Sequence, residues 1–274
     1  MKIIDIHTHT FPELIAGKAI SKLEKSSGCK AVGTGLQKDL LFSMQECGIG
    51  LSVIAPVATS PNSHSINLKS IAAREEIGKS LYFLGALHPE TPDIHGEISF
   101  LKENGFGGVK LHPDYQDFFA DDAKMFPIYE ELERQGMFLL MHCGEDISFP
   151  NSGKGSPSRT AAVLKNFPEL NIIAAHLGGY LQWDETLEHL AGFPNVWLDT
   201  AYCAFKPEQQ TMRKIIDTFG TNKILFGSDW PWMEQKKSID YIKSLSITQA
   251  QKDDILGGNA LRFFIDKTER LENS

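Results

Sequence analysis

Two histidines separated by one residue, His7 and His9, close the apolar run Lys2-Ile-Ile-Asp-Ile near the start of the chain. If that run is a strand, side chains two apart project to one face, so both imidazoles reach the same ion and the pair reads as a chelate. A chain with nine histidines can contain such a pair by accident, so the reading needs further donors. His142, His176 and Asp229 supply them, each at the end of, or just after, another short apolar run. One ion would use His7, His9, His142 and Asp229, leaving His176 to hydrogen-bond a bound water or polarise a substrate carbonyl. A lone strand-end histidine is more often a structural residue, but several gathered at one face argue for a site.

The elements that must position these residues are legible as alternation. Strand candidates run over Lys2–His7, Leu51–Pro56, Leu81–Leu87, Phe106–Leu111, Met137–His142, Asn171–His176, Val196–Asp199 and Lys223–Phe226. Between them lie helical patterns at Phe11–Lys25, Asn67–Lys79, Ile94–Asn104, Asp122–Gln135, Ser158–Phe167, Leu181–Leu190 and Glu208–Phe219. Strand–helix alternation implies a parallel sheet, either open and doubly wound or closed. Histidines and an aspartate at the C-terminal ends of several strands favour a (β/α)8 TIM barrel, with the site at its mouth. No repeat or linker divides the chain, and the Gly/Ser-rich pieces at 26–35 and 151–158 are short enough to be loops. The expectation is one domain across 1–274, its body ending near Lys267 before a polar tail.

Composition narrows the function. The net charge of −8 with no long Lys/Arg run disfavours nucleic acid as a partner. No stretch approaches the ~20 apolar residues that span a bilayer, and the N-terminal run lacks a signal peptide's long apolar region. Four scattered cysteines, with no CxxC pair, suggest reduced thiols. A cytoplasmic enzyme acting on a small molecule is expected, a homodimer by base rate alone.

Several stretches, in order along essentially the whole chain, carry a family resemblance. They are Asp5-Ile-His7-Thr-His9, Gly108-Val-Lys-Leu-His-Pro113, Met141-His142-Cys143, Ala175-His176-Leu-Gly-Gly179, Leu198-Asp-Thr200, Phe226-Gly-Ser-Asp229-Trp-Pro231 and Gly257-Gly-Asn-Ala260. The chain resembles the amidohydrolase superfamily, in particular the amidohydrolase 2 branch that includes the aminocarboxymuconate-semialdehyde decarboxylase relatives. The resemblance implies one or two divalent metals, zinc first, with His7, His9 and Asp229 as ligands and His142 and His176 available to complete the site. It also puts Lys110 where some superfamily members carry a carboxylated lysine bridging two metals. Without carboxylation, Lys110 would pair with a carboxylate or a substrate anion.

The reaction expected first is hydrolysis of an amide, ester or lactone, possibly carboxylated, by a metal-activated water, with Asp229 and His176 as catalytic residues. Asp229 would take the water proton and pass it to the leaving group. The alternative is nonhydrolytic decarboxylation, since this branch includes decarboxylases using much the same ligands. Two minor readings are a PHP-type phosphoesterase, whose closing Asp-x-His motif is absent at Asp229-Trp-Pro231, and a noncatalytic metal-binding scaffold. Among loop residues near the strand ends, His112, Arg159 and His64 are the substrate-binding candidates. His112 follows Lys110 by two positions, and Arg159 lies in the helix-start pattern Ser156-Pro-Ser-Arg159. Ser63, His88, Tyr115, Glu145 and Trp230 are weaker. Cys143, adjacent to His142, should point away from the site and pack against helices.

Overall fold

The computed structural model describes residues 2–204 and 206–264. The strands are β1 (Ile3–Thr8), β2 (Ile49–Ile54), β3 (Leu81–Phe83), β4 (Gly85–Ala86), β5 (Gly108–Leu111), β6 (Phe138–Met141), β7 (Ile172–Ala174), β8 (Val196–Asp199) and β9 (Ile224–Leu225). All the pairings are parallel, β1-β2-β3 in one run and β4 through β9 in the other. Leu84 alone separates β3 from β4, and its N–H donates to Ile54 O at 2.9 Å, so these two strands are one stave with a local break. The ring closes where Ile6 N–H donates to Phe226 O (2.9 Å), Asp229 N–H to His7 O (2.8 Å) and His9 N–H to Trp230 O (2.6 Å). The protein is therefore a closed (β/α)8 barrel.

The eight expected strands all lie on these staves. The helices are α1 (Glu13–Ser27), α2 (Gln37–Cys47), α3 (Ser63–Ile77), α4 (Ile94–Glu103), α5 (Phe126–Arg134), α6 (Pro157–Asn166), α7 (Trp183–His189), α8 (Gln209–Phe219), α9 (Gln235–Ser244) and α10 (Gln249–Asp253). Three of them, α2, α9 and α10, were not anticipated, and α3 starts at Ser63 rather than Asn67. The polar tail after Lys267 lies outside the described residues.

Strand periodicity divides the core into two layers. Val109, Leu111, Leu139 and Met141 face outward to a mantle with Ile98, Leu132 and Val163 of the helices. Ile4, Ile6, Val53, Leu140, Ile173 and Leu225 form a second cluster, plugged by Ala260, Phe263 and Phe264. Continuing the same phase from Phe138 and Leu140 brings His142 to the mouth. In β1, Asp5 pairs with Ser52 but Thr8 with Ile54, so one extra residue is inserted. This bulge allows the Asp5 carboxylate to bond outward to Ser228 and Gln235 while His7 faces Lys110 and Asp199.

The closing segment packs against β1 with no space to spare. A π-helical turn, Asp254–Gly258, brings Gly257 so close that a Cβ there would sit 2.2 Å from Lys2 O. Backbone cannot yield as a flexible side chain would, so Gly257→Ala is expected to cost about 2 kcal/mol. A thermal melt should show a Tm roughly 4–8 °C lower, and an unchanged Tm would contradict the packing argument.

Candidate metal centre and active-site cavity

The C-terminal ends of the staves surround a cavity of about 840 Å³. Its floor carries His7, His9, Lys110, His142, His176 and Asp229; its walls include Phe11, Leu36, Leu41, Tyr115, Tyr180 and Trp232.

Hydrogen bonds at the outer ring nitrogens fix the tautomers. His9 Nδ1 lies 2.8 Å from Ala55 O, and His176 Nδ1 lies 2.9 Å from Ala201 O. A carbonyl only accepts, so both Nδ1 atoms carry the proton and both Nε2 atoms present a lone pair to the cavity side. His7 Nδ1 donates to Asp199 Oδ2 at 2.8 Å, which leaves its Nε2 free in the same way. His142 Nδ1 lies 3.0 Å from His176 Nε2, and with that atom an acceptor, His142 Nδ1–H must donate. His142 Nε2 is then a lone pair, buried and with no hydrogen-bond partner.

His7, His9 and Asp229 form a group whose ligand atoms lie within 4.8 Å of one another. Asp229 Oδ1 is 3.1 Å from His9 Nε2 and 3.6 Å from His7 Nε2. Burial would raise the Asp229 carboxyl, but the hydrogen bond that His9 Nε2 gives when protonated, and the charge of His7, His9 or His176 in that form, outweigh it and hold the group well below the usual carboxylate range. Burial, reinforced by the Lys110 charge, keeps the His7 ring neutral. Two neutral imidazoles and one carboxylate are the donors a first-row divalent ion takes. The two turns delivering His176 and Asp229 are left-handed: φ is +58° at His176 and +70° at Asp229, a region few non-glycine residues enter. At His176 the turn matters most, because Ile173 and Ala175 have the inward phase and the histidine is one residue off it.

Lys110 is buried, with Nζ 3.2 Å from His7 Nε2. Burial pulls its pKa from 10.5 down to about 8, against the pull of Asp199 and Asp229. An unfolded lysine keeps its proton to higher pH, so between about 8 and 10.5 the folded chain binds fewer protons and this residue's contribution to stability rises with pH. In chelator, the melting temperature of wild type relative to Lys110→Met should therefore climb across that window. A pH-independent difference would show that Lys110 is not desolvated.

Other sequence candidates sort by their neighbours. His112 lines the cavity, stacked on His142 with ring centroids 4.1 Å apart. His64 and Arg159, expected to bind substrate, are engaged elsewhere. His64 stands on the first turn of α3, its Nδ1 2.8 Å from Glu97 and its ring against Phe100 of α4. Arg159 does sit at the start of α6, below the Ser156 cap, but its guanidinium pairs with Asp121, donates to Gly153 O at 3.1 Å and lies over Phe119. His88 is buried, its Nδ1 accepting Glu90 N–H. Cys143 packs against Thr160 of α6, and burial pushes its thiol up to about 12, so it is no nucleophile. The sequence reading gave no role to Asp199, whose carboxylate holds His7 and the backbone at His176, or to Asp146, 3.4 Å from His112 Nε2. An acidic residue closing an apolar strand run was the available signal for Asp199.

A parallel barrel with metal-type donors gathered at its C-terminal mouth defines the class of protein. The amidohydrolase family model matches residues 84–264, well over half of the sequence, and the chain belongs to that family. It is 24% identical to 2-amino-3-carboxymuconate-6-semialdehyde decarboxylase of Dictyostelium discoideum over 201 residues, 59% of this chain and 54% of that protein. It is 26% identical to gamma-resorcylate decarboxylase of Polaromonas sp. strain JS666 over 217 residues, 60% of this chain and 63% of that protein. The chain thus spans less than two thirds of either relative. Among solved structures, dihydroxybenzoic acid decarboxylase from Polaromonas sp. JS666, with bound manganese and the inhibitor 2-nitroresorcinol, superposes with a TM-score of 0.73 at 18% identity, covering 98% of this chain and 99% of that one. That likeness concerns the fold. Among the described residues, no helix is long and apolar enough to cross a membrane.

Proposed function

We propose that this chain, as one barrel domain, is a metal-dependent decarboxylase of small carboxylated substrates, aromatic or muconate-like, working without hydrolysis. The observation that carries the reading is the His7, His9 and Asp229 group, with His7 fully buried, beneath a cavity with aromatic walls. The two decarboxylases it resembles support the carbon–carbon lyase over the hydrolase that the sequence reading put first. Four free cysteines support a reducing, cytoplasmic setting.

His7, His9 and Asp229 would hold the ion, with manganese or zinc both suited to the donors. The bound ion would supply Lewis-acid polarisation of substrate oxygens. The Lys110 ammonium gives a substrate carboxylate a cationic neighbour, and Tyr115, Tyr180 and Trp232 flank an aromatic ring. When the carbon–carbon bond breaks, its electron pair stays on carbon, which must then take a proton. His176 is placed to hold and deliver it at Nε2, which requires the bond accepted from His142 Nδ1–H to be given up while the ring carries that proton.

The test uses dihydroxybenzoates, carboxyvanillate and muconate-type acids with the manganese- or zinc-loaded protein in ¹⁸O-water. Carbon dioxide release with no ¹⁸O in the organic product is expected. An organic product carrying ¹⁸O, without carbon dioxide, would replace this reading with hydrolysis.

A further inference from the structure

The cavity is larger than a small acid on the metal floor needs. Its volume of about 840 Å³ is near the top of the ~300–1,000 Å³ range that holds drug-sized ligands, and a one-ring acid over His7, His9 and Asp229 leaves much of it unfilled. Leu41 of α2, Ile66 and Ala73 of α3, Ile54 of β2 and Phe83 of β3 line the same cavity, as do residues 55–57 after β2. Ile54 and Phe83 belong to the outward-facing mantle and not to the inner cluster. The cavity therefore continues from the floor, past the end of β2, into a lobe between the barrel wall and helices α2 and α3. We propose that this lobe binds a neutral hydrocarbon substituent of the substrate, alkyl or aryl, while the carboxylated end sits over the metal group. The inference deepens the decarboxylase reading and rests on it for what occupies the floor.

The chemistry of the lobe selects its occupant. The five side chains that define it are hydrocarbon, and the polar residues along it are committed or stand in solvent. Ser70 is buried, but its hydroxyl donates back to Ile66 O at 3.1 Å. Lys38, Lys69 and Glu76 are exposed at the edge, and Gln37 is partly exposed on the first turn of α2. Two cations and an anion at the rim favour neither sign of charge. A polar substituent would surrender its water here with no buried partner to replace it. A hydrocarbon one gains about 3-fold in affinity for each methylene taken out of water. The floor is the opposite, with Lys110, three histidines and Asp229 around the space for an anion. Floor and lobe thus match the two ends of one amphiphilic acid.

The test separates binding from turnover. Manganese-loaded protein is titrated by calorimetry with hydroxybenzoates that carry hydrogen, methyl, butyl or hexyl at each ring position meta or para to the carboxylate. Carbon dioxide release from each acid is measured in parallel. For at least one position, affinity should rise at least about 100-fold from hydrogen to hexyl. In Ala73→Phe, whose added ring fills the lobe, that rise should shrink to less than about 5-fold. Affinity independent of chain length at every position overturns the lobe, and carbon dioxide released from the unsubstituted acid then leaves the decarboxylase reading standing. Binding that grows with chain length and is abolished by Ala73→Phe, with no carbon dioxide from any acid, upholds the lobe and removes the decarboxylase reading. A rise that Ala73→Phe leaves intact places the hydrocarbon elsewhere and also overturns the proposal. So does a wild-type dimer that Ala73→Phe dissociates in light scattering with no effect of chain length, since a second copy then fills the lobe. Should Ala73→Phe fail to fold, Ile66→Gln puts an amide among the hydrocarbon side chains and should cut the hexyl gain at least about 10-fold.

Discussion

Replacing Asp229 with Asn is expected to lower kcat/KM by at least about 10³, near 4 kcal/mol of transition-state stabilisation, and to empty the His7/His9 group of metal. The side chain is almost isosteric, so the loss is one of charge. Asp229 supplies the anion of that group, and the nearby histidines keep it ionised in spite of burial. An amide in its place offers a neutral oxygen or, if flipped, an N–H that donates to His9 Nε2 and occupies the lone pair the metal needs. The barrel itself should survive, because the structural bond at this position is Asp229 N–H to His7 O, which is backbone. In chelator, wild type and Asp229→Asn should thus melt within a few degrees of one another. With metal at a hundredfold excess over Kd, only wild type should gain the ~2.7 kcal/mol that occupancy of this site confers. Full metal content together with full activity in Asp229→Asn would remove this residue from the centre.

How much of this was readable from the chain alone depends on distance along it. The inward phase of Phe138, Leu140 and His142 is written in one short run, and so is the His7/His9 spacing; the staves and the floor of the cavity were legible for that reason. The break at Leu84 was not, since nothing in Leu81–Leu87 distinguishes one stave from two strands. Helix α2 escaped because Leu40 and Met44 are its only buried residues, too narrow a stripe beside the preceding Gly/Ser-rich loop. The partners of His64 and Arg159 were hidden because Glu97 and Asp121 are distant in sequence and adjacent only after folding. The left-handed turn at His176 leaves no mark in residue type. Reaction class was equally hidden, because the same three donors can serve water attack or carbon–carbon cleavage, and only similarity to decarboxylases inclined the reading.

Asp199 supplies the sharpest test of how the fold prepares the metal ligands, because its two oxygens do separate work. Oδ1 accepts the N–H groups of His176 and Ala201, at 2.8 and 3.0 Å, while Oδ2 accepts His7 Nδ1–H. In Asp199→Asn the amide oxygen can take the Oδ1 position and keep both backbone bonds, which places the NH₂ group against His7 Nδ1. Two N–H groups cannot face each other in a buried site, so the His7 proton must move to Nε2. That is the nitrogen required for the metal, now without its lone pair. The expected result is a fall in zinc affinity of about 10- to 100-fold, measured by competition with a chromophoric chelator, with a stability loss in chelator of no more than about 1–2 kcal/mol. Asp199→Ala should behave differently: it strands all three donors, and its melting temperature should fall well below that of Asp199→Asn while His7 regains freedom of tautomer. Zinc affinity unchanged in Asp199→Asn would mean that Asp199 merely supports the turn at His176, and that the His7 tautomer is set by the metal rather than by the fold.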